Sequence, residues 1–223
     1  MDFQFIIVVA LSIRMGQIKV ISFDAEGTLV TPDFSYTIWH QAIPSLYAQK
    51  RGIELAQAKT MIFEEYDKVG DHRLEWYDIR YWFRCLDLGP PDPVIESCCQ
   101  SKLSYYPEIV EVLSSLNSKY QLVVASGTPI ELLDYLLRDV KHYFAHIFSS
   151  TSHYRQLKDP DFYLAICRAM GVEPRQVIHV GDNWQFDFLY AKQAGIHALH
   201  LDRSGNNHES LTDLTQLESQ LPT

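Results

Sequence analysis

The run Ile18-Lys19-Val20-Ile21-Ser22-Phe23 constrains the fold of this chain most, because of the residues that follow it. Its β-branched residues and closing phenylalanine are typical of a buried strand. A strand buried on both faces belongs to a parallel sheet, and there a carboxylate is out of place until the strand ends. Asp24 stands at that end, Glu26 follows, and Gly27 lets the chain turn sharply. We therefore expect an acidic pocket at the carboxyl edge of an open α/β sheet, where ligands bind. An exposed acidic turn is the alternative.

From Pro107 onward, apolar segments of strand length alternate with segments of helical periodicity. Strands are predicted at 120–125, 144–148, 176–180 and 196–201, and helices at 107–116, 130–140, 161–170 and 184–194. Strands and helices that alternate at this spacing form a parallel sheet covered by helices on both faces. The sequence therefore predicts an α/β fold with a Rossmann-like, doubly wound core.

The stretch 33–103, between the acidic turn and the alternating region, has helical periodicity throughout. It includes one long amphipathic helix predicted at 74–86 and a break at 89–93. Because the stretch is too long for a connecting loop, we expect an all-helical subdomain there. The core would then be discontinuous, comprising 15–32 and 104–223. Residues 1–14 are an extension of doubtful status: their apolar run is too short to span a bilayer, and Met15 is a candidate start.

Composition narrows the class of function. The formal net charge of −9 argues against a nucleic-acid-binding surface and against stable association with anionic membranes. Four cysteines, two of them adjacent, suit neither a disulfide framework nor a zinc site. Reduced thiols predict a cytoplasmic protein. A monomer and a homodimer are both compatible with the sequence.

Further polar groups lie where strands of the predicted sheet end. Ser126 and Gly127 precede a helix, so a hydroxyl and backbone amides could donate to an anion there. Lys158 lies in the loop before the next helix, Asp182 follows the strand 176–180, and Asp187 falls in the first turn after it. Each has an ordinary structural alternative: a capping serine, a solvated lysine, and carboxylates that stabilise a helix N-terminus.

Taken in order, these groups resemble the motifs of the haloacid dehalogenase superfamily. Asp24-Ala25-Glu26-Gly27-Thr28-Leu29 is similar to its first motif, Asp-x-Asp-Gly-Thr-Leu, and the strand-ending serine, the loop lysine and Gly-Asp-x-x-x-x-Asp follow in order. The resemblance covers residues 19 to about 203, including a helical cap of the C1 type. It implies a hydrolase, of the phosphatase type.

The resemblance also implies a mechanism with Mg²⁺ as cofactor and a small phosphorylated metabolite as substrate. Asp24 would be the nucleophile that forms an aspartyl-phosphate, and Glu26 the general acid and base. The phosphoryl group would be held by Ser126, Gly127 and Lys158. Asp24, Glu26 (through its carbonyl), Asp182 and Asp187 would hold the metal.

Two features depart from the family pattern, and alternatives follow from them. The second acid is glutamate, and Asp159 follows Lys158 where proline is commoner. A 2-haloacid dehalogenase, which lacks the second acid, and a catalytically weak binding or regulatory protein are the alternatives to a phosphatase. Arg73, Arg80 and Arg84 share one helical face and could meet a second anionic group on a substrate; a solvated basic face is the simpler interpretation.

Overall fold

A computed structural model of the protein describes residues 17–221, and at its centre lies a five-stranded parallel sheet. The strands are β1 (Val20–Phe23), β2 (Gln121–Ser126), β3 (His146–Ser149), β4 (Val177–Gly181) and β5 (His197–His200). They lie in the order β3-β2-β1-β4-β5. The chain therefore runs outward from a central first strand in two directions, as in a doubly wound fold, and the predicted fold class is confirmed.

Strand β1 pairs with β2 on one side and with β4 on the other, with Val20 opposite both Gln121 and Val177. Its residues alternate between two cores, as the period of two of a strand requires. Ile21 and Phe23 pack into one hydrophobic cluster, and Val20 packs into the other. Since all four residues of β1 are buried, its carboxyl end delivers Asp24 into the interior.

Helices cover both faces of the sheet. Four of them follow the strand–helix alternation: α7 (Ile109–Asn117), α8 (Ile130–Leu136), α9 (Pro160–Met170) and α10 (Tyr190–Gln193). Helices α7 and α8 pack on the face with Phe23, and α9 and α10 pack on the face with Val20. Residues 184–194, predicted as one α-helix, instead begin with a π-helical turn, Trp184–Leu189, before α10.

Between β1 and β2 the chain forms a helical insertion. Its helices are α1 (Asp33–Thr37), α2 (Ile43–Arg51), α3 (Leu55–Val69), α4 (Leu74–Tyr77), α5 (Ile79–Cys85) and α6 (Asp92–Lys102), with a π-helical turn, Ile38–Ala42, joining α1 to α2. The single helix predicted at 74–86 is wrong. Asp78 interrupts it with an extended backbone, and its carboxylate accepts hydrogen bonds from the amides of Arg80 and Tyr81 at 2.8 and 3.0 Å. Aspartate competes with helical hydrogen bonding in this way at an N-cap.

Near the carboxyl end, the weakly helical segment predicted around residues 214–217 is a 3₁₀ helix, Leu214–Gln220, with Leu214 and Leu217 buried. The predictions about residues 1–14 lie outside the described residues. Within residues 17–221 no helix has the length and apolar character needed to cross a bilayer.

Candidate active site

The acidic loop after β1 is held tightly against the end of β4. Asp24 is 8% exposed, and its amide donates to the carbonyl of Val180 at 2.9 Å. Gly27 has a φ of +76°, a conformation that glycine adopts without strain. A Cβ at this position would lie 2.2 Å from Oδ2 of Asp182. Glycine is therefore required twice over, for the turn and for the close approach of the Asp182 carboxylate.

Lys158 lies between two of the predicted site carboxylates. Its Nζ donates to Oδ1 of Asp24 at 2.8 Å and also to Oδ1 of Asp187. The lysine is 6% exposed, so it is a buried ion-pair partner and not a solvated loop residue. The neighbouring Asp159 points elsewhere: its carboxylate caps α9 by accepting from the amide of Phe162 at 2.8 Å. This departure from the family pattern thus has a local structural role.

Asp182 and Asp187 come from the end of β4 and from the π-helical turn after it. Asp182 is exposed at the mouth of the site, whereas Asp187 is buried. Asn183 fixes the turn by accepting from the amides of Gln185 and Phe186, and its own amide donates to Oδ2 of Asp187 at 3.0 Å. Carboxylate oxygens of Asp24, Asp182 and Asp187 lie within 4.8 Å of one another. Such a set of hard oxygen donors matches the preference of Mg²⁺.

The three carboxyl groups of this cluster have pKa values shifted in different directions. Burial raises the pKa of Asp24 to about 6, against the opposing charge of Lys158. Desolvation, together with the charges of Asp24 and Asp187, raises the pKa of Asp182 to about 7. Burial acts in the same direction on Asp187, but Lys158 and His179 prevail and hold its pKa well below the usual range. One lysine therefore leaves negative charge uncompensated at the mouth, and a divalent cation would compensate it.

Asp187 belongs to a buried network of hydrogen bonds that the sequence analysis did not predict. His179 Nε2 lies 3.2 Å from Oδ1 of Asp187, and its Nδ1 lies 2.9 Å from the hydroxyl of Ser22. The hydroxyl of Tyr163 lies 3.1 Å from the same Nε2 and donates to the carbonyl of Phe186 at 2.9 Å. The signal in the sequence was a polar residue in each of two buried strands, because Ser22 and His179 are paired in register.

The predicted phosphate-binding residues lie on the side of the site formed by β2. Ser126 is buried, and its Oγ accepts from the amide of Thr128 at 3.2 Å. A Cβ on Gly127 would lie 3.8 Å from Cδ of Lys158, so the two positions are adjacent. The structure therefore brings Ser126, Gly127 and Lys158 to the same end of the sheet as Asp24.

Glu26 is held by a residue that the sequence analysis did not single out. The hydroxyl of Thr128 donates to Oε2 of Glu26 at 3.1 Å. The other oxygen, Oε1, is buried and has no hydrogen-bond partner within residues 17–221. Burial raises the pKa of this carboxyl group, although the hydroxyl groups of Ser35 and Thr128 oppose that effect. A raised pKa makes the protonated form, which can donate a hydrogen bond, more accessible than it is for an ordinary glutamate.

Arg203 binds the backbone of the acidic loop, and the sequence analysis did not predict this contact. Its guanidinium donates to the carbonyl of Gly27 at 3.2 Å and to that of Thr28 at 2.7 Å. It also lies 3.4 Å from the ring centroid of Tyr106 and forms an ion pair with Glu108 at 2.8 Å. These contacts fix the acidic loop, because planar guanidinium groups bind several acceptors in a set geometry.

A cavity of about 510 Å³ opens beside Glu26 and extends between the sheet edge and the helical insertion. Thr128, Pro129 and Leu132 line its core side. Residues of α3, α4 and the π-helical turn Ile38–Ala42 line its other side. Volumes of this size are typical of sites for small molecules.

The family profile described as haloacid dehalogenase-like hydrolase matches residues 18–195, most of the described chain. The chain belongs to this family. As a member of the haloacid dehalogenase-like hydrolases it is a hydrolytic enzyme, which confirms the resemblance drawn from the motifs.

Known proteins agree with this assignment. The chain is 27% identical to a phosphoglycolate phosphatase of Haemophilus influenzae over 88% of its own length and 91% of that protein. A solved phosphatase of this superfamily from Thermococcus onnurineus has a TM-score of 0.80 at 22% identity, covering 91% of this chain and 97% of that one. A 2-haloacid dehalogenase of Pseudomonas syringae has a TM-score of 0.65 at 21% identity, covering 91% and 97%. The two structures share the fold of this chain.

Proposed function

We propose that this hydrolase is a Mg²⁺-dependent phosphomonoester hydrolase that forms an aspartyl-phosphate on Asp24. The observation that supports this most is the combination of three clustered carboxylates with one buried lysine. A phosphoryl dianion needs positive charge to approach a carboxylate, and this site offers a lysine and a set of metal-ligand oxygens. The named phosphatase relative supports the same reaction class.

Asp24 is the proposed nucleophile. Lys158 binds its Oδ1, so we assign the attack on phosphorus to Oδ2. With a pKa of about 6, the carboxylate is mostly ionised at neutral pH. The new Oδ2–P bond forms as the bond from phosphorus to the leaving oxygen breaks. Water later attacks the same phosphorus and releases inorganic phosphate and the free carboxylate.

Glu26 is the proposed acid and base. Burial raises its pKa, which favours the proton-bearing form relative to an ordinary glutamate, and Oε1, which has no hydrogen-bond partner within residues 17–221, can give that proton to the leaving alkoxide. The resulting carboxylate then accepts a proton from the attacking water. The hydroxyl of Thr128 holds Oε2 throughout, so that Oε1 keeps its orientation.

The residues present fit Mg²⁺. Asp24, Asp182 and the carbonyl of Glu26 would hold it, with Asp187 behind them, and the bound ion would neutralise the phosphate and the carboxylates. Gly27 leaves space for the Asp182 carboxylate at this point. On the other side, Ser126, the amide of Gly127 and Lys158 would hold the phosphoryl oxygens.

We further propose that residues 33–103 act as a cap over the core formed by 15–32 and 104–223. The cavity between the insertion and the sheet edge supports this division. A cap excludes water while the phosphoryl group is transferred.

The four cysteines are all free thiols, which supports a cytoplasmic location.

Rapid-quench trapping tests the mechanism. The enzyme is mixed with a ³²P-labelled phosphomonoester in Mg²⁺, and acid-stable label on the protein is counted. Wild type should show labelled protein and release phosphate, whereas Asp24→Asn should show neither. Asp134→Asn is the matched control, because Asp134 is exposed and paired with Lys141.

The same samples separate the alternatives. Halide release from 2-chloropropionate without added metal would identify a dehalogenase, and the absence of any turnover would identify a binding protein. Substantial phosphatase activity in Asp24→Asn would contradict the covalent mechanism.

A further inference from the structure

The cavity beside Glu26 has a distinctive aromatic lining. Trp39, Phe63 and Trp76 contribute to its wall. Tyr66, which also lines the cavity, packs edge-on against Trp39 and Trp76 at centroid distances of 6.1 and 5.8 Å. Tyr66 also donates from its hydroxyl to the carbonyl of Trp39 at 3.3 Å. The wall is therefore both aromatic and rigid, a property that suits a flat ligand.

The charges around this cavity exclude one class of leaving group. The lining residues that carry a carboxyl group are Glu26 and Asp67, and within residues 17–221 no lysine or arginine lines the cavity. His40 also lines it, and burial, together with the charge of the nearby Lys59, lowers the pKa of that imidazole, which favours its neutral form. A carboxylate or second phosphate on the leaving group would meet the carboxylate of Asp67 and no lysine or arginine in the described lining.

The three arginines that the sequence analysis offered as counter-ions do not line the cavity. Arg73 pairs with Glu75 at 2.8 Å, and Arg80 pairs with Glu131 at 3.3 Å. None of Arg73, Arg80 and Arg84 lines the cavity, so the sequence-based possibility that they meet a second anionic group is not supported. Trp76 lines the cavity and also packs against the hydrophobic core, whereas Trp82 is 2% exposed and belongs to the core.

We infer that the substrate is a phosphomonoester whose leaving alcohol carries a flat aromatic ring, neutral or cationic and without a further anionic group. The inference rests on the proposed phosphatase function, since it places the phosphoryl group at Asp24. The leaving oxygen would lie near Oε1 of Glu26, and the ring would pack against Trp76 and Phe63. Asp67 at the exposed rim could accept from an N–H donor on that ring.

Binding of non-hydrolysable phosphonates in Mg²⁺, measured by calorimetry, tests the ligand class without requiring turnover. The probes are 2-phenylethyl-, 2-cyclohexylethyl- and ethylphosphonate, and 3-phosphonopropanoate. The phenyl compound should bind about 10- to 100-fold more tightly than the ethyl compound, as one stacked ring permits. The cyclohexyl compound should bind less tightly than the phenyl compound, and the carboxylate should bind most weakly.

Two variants test whether the aromatic side chains of the cavity cause the preference for the phenyl compound. Trp76→Leu should reduce the phenyl-to-ethyl ratio of affinities, and Phe63→Leu gives a second variant in case the first does not fold. Trp184→Leu is the control, because Trp184 is exposed and lies outside this cavity. It should keep the wild-type ratio.

The outcomes separate this inference from the proposed function. Equal binding of the phenyl and cyclohexyl compounds, tighter binding of the carboxylate than of the ethyl compound, or no phosphonate binding would overturn the inference. So would folded Trp76→Leu and Phe63→Leu variants that keep the full phenyl preference. Failure of wild type to release phosphate from any ester, with the phenyl preference intact, would overturn the phosphatase proposal alone.

Discussion

Replacing Gly27 with alanine should damage the site far more than it damages the fold. The alanine would carry the positive φ of +76°, which costs roughly 1–2 kcal/mol for a residue with a Cβ. In addition, its Cβ would lie 2.2 Å from Oδ2 of Asp182, so that carboxylate would have to move by about 1 Å. A displacement of about 1 Å in a catalytic arrangement costs on the order of 10²-fold in rate.

Gly52→Ala is the matched control. Gly52 also has a positive φ, of +66°, at the end of α2, but a Cβ there would have no atom of residues 17–221 within 4 Å. Both variants should therefore lose a similar amount of stability, with Tm lowered by about 2–4 °C per kcal/mol for a domain of this size. Gly27→Ala alone should also lose activity and require more Mg²⁺.

Two measurements decide the matter. Thermal unfolding compares the stabilities of the variants, and turnover of 4-nitrophenyl phosphate across a Mg²⁺ titration compares their sites. If Gly27→Ala turns over as fast as Gly52→Ala with the same Mg²⁺ midpoint, the assigned contact between Gly27 and Asp182 has no functional consequence and the reasoning is refuted.

Three further predictions concern the carboxyl groups. In EDTA, the free energy of unfolding measured with urea should fall as pH rises from about 4 to 7. Over this range folded Asp24 and Asp182 keep protons that the same groups, with a pKa near 3.8 in the unfolded chain, have released. Saturating Mg²⁺ should flatten this slope, and a flat profile in EDTA would contradict the raised pKa values. Asp187, whose pKa is lowered, acts in the opposite sense below that window. Glu26→Gln should slow steady-state hydrolysis of alkyl phosphates by about 10²–10⁴-fold and that of aryl phosphates less, and equal losses would argue against an acid role. Asp78→Ala should cost roughly 0.5–2 kcal/mol in urea denaturation by removing the cap of α5, without changing turnover.

Much of the fold could be predicted because the relevant signals are local. A buried strand such as β1 and the strand–helix alternation after Pro107 appear directly in the apolar pattern. The break at Asp78 was missed because the apolar spacing continues through it, while its cause is one side chain that caps the backbone. The π-helical turn after Asn183 has no periodic signal of its own.

The strand pattern alone locates the site residues that stand at strand ends, whereas Lys158 and Asp187 were predicted from the order of the family motifs. Asp24, Ser126 and Asp182 stand at strand ends, and parallel strands bring such residues to one edge. Thr128, His179 and Arg203 act through contacts between distant segments, such as that of Arg203 with the carbonyl of Thr28. No pattern within a short window reports a contact of this kind. Which charged side chains line the cavity likewise depends on the direction of each arginine side chain, and helical spacing alone does not determine that direction.

The central position of β1 has a consequence for how the chain folds during synthesis. This apolar strand is translated first among the strands, yet its partners in β2 and β4 follow roughly 100 and 160 residues later, a high contact order. The helices of the insertion, whose contacts are mostly local, emerge from the ribosome while both edges of β1 are still unpaired. Until β4 is made, β1 is a candidate for pairing with other nascent chains or for binding by a chaperone that recognises extended apolar segments.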